Sequence, residues 1–240
     1  MKKSKQIIVR FTFLLSLLGL TTCVTHRPLP PAAHVPNPAK ELAERVASQQ
    51  ILRVLFVGNS YSFGVPEAFA KTAAAQGKSV NTGHSTFGGW TLAQHAEHEG
   101  TLEKIRSGTW DVVVIQEHSL IPAQPPAKRD AAMFAPLRLL VNEARGHGAI
   151  PVLYQTWGRR DGNSLLRKDT FREMTARLRA GYQAAAKQAG GVVIVPVGDA
   201  WEREMNAGRA RVLFIDDGSH PSAAGDAVTA ETFYRAFFGR

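Results

Sequence analysis

The run Asp-Val-Val-Val-Ile-Gln at 111–116 constrains the fold more than any other segment of this chain. Four consecutive β-branched residues cannot divide into an apolar and a polar face. The run therefore demands burial on both sides, as in an interior strand of a parallel sheet. Weaker strand patterns occupy 52–57, 78–84, 149–155 and 192–197, and helix-like stretches fall between or after them at 66–76, 91–107, 128–146, 169–189 and 222–238. Pro66 suits a first helical turn, while Gly146 and Gly148 mark a helix end. Five strands separated by helices imply right-handed crossovers and a three-layer α/β/α sandwich. In such open parallel sheets, ligands bind beyond the carboxyl ends of the strands.

The first residues read differently. Lys2, Lys3, Lys5 and Arg10 precede an apolar run at 11–20 that is shorter than the roughly 20 residues a spanning helix needs, which is the layout of an export signal. Leu20-Thr21-Thr22-Cys23 resembles the lipobox of bacterial lipoproteins, although Thr22 stands where Gly, Ala or Ser is usual. Cys23 is the one cysteine of the chain, so an internal disulfide is impossible and lipidation is its expected use. Residues 1–22 are thus expected to be a signal peptide, with Cys23 as first mature residue. Residues 23–40, with Pro28, Pro30, Pro31, Pro36 and Pro38, read as an extended tether, and 41–240 as one catalytic domain. The expected location is the cell envelope, membrane-anchored through Cys23, or else periplasmic or secreted.

The formal charge of +9 does not point to nucleic acid: removing the four cations of the export segment leaves +5. The remaining basic residues are interleaved with acids, as Arg172 and Arg177 are with Glu173, and no basic stripe carries aromatic residues.

Ser60, in Gly58-Asn59-Ser60-Tyr61-Ser62, stands just beyond the end of the first predicted strand. By itself it could simply shape a loop. Near the other end of the chain, Asp217-Gly218-Ser219-His220 places an acid and a histidine three positions apart before the last helix. A serine nucleophile needs a base to take its proton, and an acid on the other ring nitrogen to hold the tautomer. Capping of the last helix by Asp217 or Ser222 is the alternative use of these residues.

Together these blocks resemble the SGNH/GDSL-like hydrolase superfamily, in particular a branch whose first block reads Gly-Asn-Ser and whose third reads Gln-x-x-Ser. The resemblance runs from Leu52 to about Phe238. It implies a flavodoxin-like sandwich with a five-stranded parallel sheet, ester hydrolysis through an acyl-enzyme, and no metal or organic cofactor. It assigns Ser60 as nucleophile, His220 as base and Asp217 as its partner, whereas Asp216 has the wrong spacing. For the oxyanion hole it implies the Ser60 N–H, the N–H of Gly89 with Gly88 as the near alternative, and the Gln116 side chain. Counting the third block differently puts His118 in place of Gln116.

His84, His95 and His98 lack a metal-binding motif, and the latter two fit a polar helix face. Trp157, beside Arg159 and Arg160, reads as either a cleft residue or a rim residue over the sheet edge. The activity expected is hydrolysis of an O-acetyl or other short acyl ester on a carbohydrate or envelope glycan. The alternatives are a catalytically silent glycan-binding lipoprotein and an O-acyltransferase using the same triad.

Overall fold

Leu52–Gly58 forms β1, Val80–Thr86 β2, Val112–Ile115 β3, Ile150–Tyr154 β4 and Val193–Val195 β5. These residues belong to a computed structural model that describes residues 37–107 and 109–239. The export segment, Cys23 and the Pro-rich stretch through Pro36 lie outside the described residues. The strands join in the order β2-β1-β3-β4-β5, and every neighbouring pair is parallel. This is the strand order of the flavodoxin-like fold that the resemblance implied. The chain leaves β1 for one side of the sheet and returns to β3 on the other, which opens a crevice at the carboxyl ends of β1 and β3.

The pleat divides the apolar residues between two cores. Val54 and Phe56 of β1, Val112 and Val114 of β3, and Val152 and Tyr154 of β4 face one way. They pack under α1 (Pro38–Ser48), α2 (Val65–Ala75), α7 (Val197–Asn206) and α9 (Ala223–Phe238). Leu55, Val57, Val113, Ile115 and Leu153 face the other way, under α3 (Leu92–Glu97), α4 (Glu99–Arg106), α5 (Pro126–Gly146) and α6 (Phe171–Gln188). All four residues of β3 are buried, so the run at 111–116 occupies the two-sided environment its composition requires.

Several boundaries differ from the sequence expectation. The stretch 91–107 is two helices, not one, because His98 turns the chain outward and its ring Nδ1 accepts the Thr101 N–H at 3.1 Å, capping α4. The β2 strand starts two residues later than its apolar pattern, extended by pairing with β1 through Gly58 and Thr86. The first helix begins at Pro38, inside the stretch read as tether, capped by Asn37. After β5 the chain enters α7 at Val197 and then a single turn, α8 (Ala210–Leu213); neither was read from the sequence. Among the described residues, no helix is long and apolar enough to cross a membrane.

Phe56 lies at the centre of the first core, edge-on to Phe233 with ring centroids 5.4 Å apart and to Phe69 at 6.3 Å. Phe56→Ala is expected to lower the unfolding free energy by about 3–5 kcal/mol, read from the urea midpoint.

Candidate active site

Ser60 opens a single 3₁₀ turn, Ser60–Ser62, directly after β1. The turn is held by Asn59, whose side-chain oxygen accepts the Tyr61 N–H at 3.2 Å and whose amide donates to the Trp90 carbonyl at 3.0 Å. Asp217 and His220 sit on a loop pinched at its base by an antiparallel bridge between Phe214 and Pro221. Asp217 Oδ1 accepts the N–H groups of Ser219 (2.8 Å) and His220 (3.0 Å), and Oδ2 accepts from His220 Nδ1 at 2.5 Å. The His220 proton is thereby placed on Nδ1, leaving Nε2 to accept from the Ser60 hydroxyl at 2.9 Å. Burial alone would raise the Asp217 carboxyl, but the hydrogen bonds from His220 and Ser219 hold it below the usual carboxylate range. Ser222, not Asp217, caps α9, accepting the Ala224 and Gly225 N–H groups. Asp216 is exposed and takes no part.

Ser60 and His220 line a cavity of about 370 Å³ together with Gly88, Gly89, His118 and Arg159 among others. A larger open groove, about 590 Å³, runs between α7 and α9 and is lined by neither Ser60 nor any histidine. Gly89 has φ +75°, in the left-handed region that favours glycine. The N–H groups of Ser60, Gly88 and Gly89 donate to nothing among the described residues.

Gln116 is not in this cavity. Its side chain is buried at the end of β3, where the amide oxygen accepts the Asn59 N–H at 2.9 Å and the Ser62 hydroxyl at 3.0 Å. Its nitrogen donates to Asn59 Oδ1 at 3.0 Å and to the Glu117 carbonyl at 2.7 Å. With both N–H groups committed, Gln116 cannot also reach an oxyanion as the resemblance implied. Gly58 makes room for it, since a Cβ there would lie 2.4 Å from the amide oxygen. His118, the other reading of the third block, faces the cavity. Its Nδ1 accepts the Leu120 N–H at 3.3 Å, so the ring proton belongs on Nε2. Burial, with a contribution from Arg159, lowers its pKa and favours the neutral ring.

Three supporting residues escaped the sequence reading. His95 is fully buried instead of lining a polar helix face: Nε2–H donates to the Gly58 carbonyl at 2.9 Å, and burial takes its pKa down to about 4. Trp157 is neither cleft nor rim. It is wholly buried beneath the site, stacked between Tyr61 (centroids 4.7 Å apart) and Trp201 (3.8 Å), and donates to the Ser219 carbonyl at 3.1 Å. Glu117 follows Gln116 with no access to solvent, and its Oε1 accepts the N–H groups of Leu92 (3.1 Å) and His118 (2.6 Å). It therefore joins the start of α3, just past the Gly88–Gly89 turn, to the His118 backbone.

Burial pushes the Glu117 carboxyl up to about 8, against the pull of those two donors. From about 4.5, where an unperturbed glutamate titrates, up to about 8 the folded chain keeps a proton that the unfolded chain has lost. This group's contribution thus falls as pH rises through that window, by at most roughly 1.4 kcal/mol per unit, and levels off above it. His95 acts oppositely below 6.5, where the unfolded ring charges and the buried one does not. Comparison with Glu117→Gln isolates the glutamate: the wild type is expected to lose stability relative to the variant between about pH 5 and pH 8. A pH-independent difference in urea midpoints would show that Glu117 is not protonated in the fold.

No family profile matches the sequence, and no curated protein matches it. Solved structures do match. A DUF4886 family protein from Bacteroides uniformis superposes with a TM-score of 0.69 at 19% identity, over 79% of this chain and 84% of that one. A GDSL-like lipase from Parabacteroides merdae gives 0.57 at 16%, over 78% and 95%. A variant of Axe2, an acetyl xylan esterase from Geobacillus stearothermophilus, gives 0.57 at 17%, over 79% and 97%. The strand order, the crevice between β1 and β3 and these superpositions together identify the fold of this chain as that of the SGNH/GDSL-like hydrolases.

Proposed function

We propose that the protein is a serine esterase that removes a short acyl group, such as acetyl, from a carbohydrate or envelope glycan. The observation that carries this reading is the unbroken relay from Ser60 Oγ through His220 to Asp217, assembled at the mouth of a cavity. Ser60 attacks the acyl carbonyl while His220 Nε2 takes its proton, and His220 then returns that proton to the departing alcohol. Asp217 holds the ring tautomer and stabilises the imidazolium. The carbonyl oxygen, as it gains charge, is received by the Ser60 and Gly89 N–H groups and by His118 Nε2–H. Water, activated by His220, then releases the acid from the acyl-enzyme. The acetyl xylan esterase among the structural neighbours supports the choice of acyl group and of a sugar as the alcohol. The export signal read in residues 1–22 would deliver this activity to the envelope, held there by a lipid on Cys23.

Full-length protein is expected to hydrolyse 4-nitrophenyl acetate, with Ser60→Ala and His220→Ala each lowering kcat by roughly 10⁴- to 10⁶-fold. Ser60→Ala with full activity would overturn the mechanism, and a wild type no faster than its variants would favour a silent glycan-binding protein.

His118→Ala is expected to lower kcat by about 10²- to 10³-fold with the urea midpoint little changed. Gln116→Ala, which leaves the Asn59 N–H and the Ser62 hydroxyl without their acceptor, is expected to lower that midpoint as well. The reverse pattern would return the oxyanion role to Gln116.

A further inference from the structure

Arg159 is the one Arg or Lys among the residues that line the cavity, and its charge is unanswered. Its guanidinium makes no hydrogen bond or ion pair with any described residue, and its Nε is buried without a partner. Removing a guanidinium N–H from water without replacing the lost hydrogen bond is unfavourable. The acids that follow it are engaged elsewhere, Asp161 with Arg160, Asp169 with Arg177 and Glu173 with the Thr170 hydroxyl, and the acid of the histidine loop, Asp217, pairs with His220.

The position is also rigid. The Gly158 N–H donates to the Thr175 hydroxyl at 3.0 Å, the Arg159 N–H to Met174 Sδ at 3.4 Å, and the Arg159 carbonyl accepts from Gly162 at 2.9 Å. Gly158 packs so closely on α6 that a Cβ there would lie 2.5 Å from the Phe171 carbonyl. The next residue ties the segment to the histidine loop, since the Arg160 N–H donates to the Gly218 carbonyl at 2.7 Å. A separate indication that the charge reaches into the site is its effect on His118, whose protonation it opposes.

We propose that Arg159 is a specificity-determining residue that binds a carboxylate carried by the substrate close to the scissile ester, making the preferred substrate an acylated acidic sugar or another acidic ester. This rests on the esterase reading above and names its substrate class. A planar guanidinium presents paired N–H groups that match a carboxylate, and a backbone anchored in advance against α6 limits the reordering needed to use them. The carboxylate supplies the missing acceptor. A neutral ester leaves the cation unanswered.

The test uses full-length wild type, Arg159→Gln and Arg159→Lys with two matched substrates, O-acetylated glucuronic acid and its methyl ester, which differ in charge and by one methyl group, with release of acetate as the readout. Mono(4-nitrophenyl) glutarate against 4-nitrophenyl valerate moves the carboxylate to the acyl half, so the two pairs tell on which side Arg159 reads it. In at least one pair the wild type is expected to favour the acid by tenfold or more in kcat/KM. That ratio is expected to collapse towards one in Arg159→Gln, chiefly through KM, and to be partly kept in Arg159→Lys. Equal use of acid and neutral ester by the wild type in both pairs would overturn the proposal. So would an equal fall on both substrates in Arg159→Gln, which would place the cation on the developing oxyanion instead.

Should the wild type hydrolyse none of the four, the esterase reading fails separately, and calorimetric titration with glucuronate decides the present one. Binding lost in Arg159→Gln supports the anion site. No binding, or binding indifferent to the substitution, overturns it.

Discussion

The geometry of the site depends on one buried side-chain amide. Gln116, at the end of the central strand, receives the Asn59 N–H and the Ser62 hydroxyl on its oxygen and donates to Asn59 and to the Glu117 carbonyl. These bonds join the carboxyl ends of β1 and β3 at the point where the strand order reverses, and they bracket Ser60 on both sides. Each polar group in this network is shielded from water, so each must be satisfied internally. Ser60 is thus presented by a fixed turn, not by a loop free to choose among conformations. Asn59 passes the constraint outward by holding the Trp90 carbonyl, and with it the turn that offers the Gly88 and Gly89 N–H groups.

A second support lies beneath this one. The Tyr61, Trp157 and Trp201 rings form a continuous stack from the Ser60 turn to α7, and its ends meet the histidine loop at Ser219 and at Phe214. Tyr61 places its hydroxyl 2.6 Å from Ser219 Oγ, and its ring meets the His220 imidazole edge-on, with centroids 5.4 Å apart. Ser60 and His220 come from opposite ends of the domain, so their 2.9 Å separation is set by how these rings pack. Apolar burial and hydrogen bonding act here on the same few residues.

How much of this was legible in the sequence follows from the physics of each element. Strands buried on both faces announce themselves through β-branched runs, and the acid and histidine three positions apart make sense chiefly as partners of a serine. Both signals are local. What escaped depends on contacts across the fold. Gln116 and His118 are two residues apart, and only the turn after β3 decides which faces the cavity and which is buried. His95 looks polar in a helical pattern, yet the break at His98 and the packing of α3 bury it against the Gly58 carbonyl. Trp157 has no periodicity to reveal that rings from two distant segments enclose it. The short helices α7 and α8 were missed for a related reason: their stability comes from packing against α9, not from a long apolar pattern of their own.

The serine and histidine that meet in the site are separated by 160 residues of chain. That spacing has a consequence for the order in which the molecule comes into being. A chain synthesised only as far as α7 already contains β1, Ser60 and the central strand, but neither His220 nor Asp217 has yet been made. Until the segment from Phe214 onward docks, the serine hydroxyl is an ordinary alcohol with no group to remove its proton. On the proposed mechanism, reactivity therefore waits for the histidine loop to be made and docked, and a truncated product ending before that loop lacks both the base and its acidic partner.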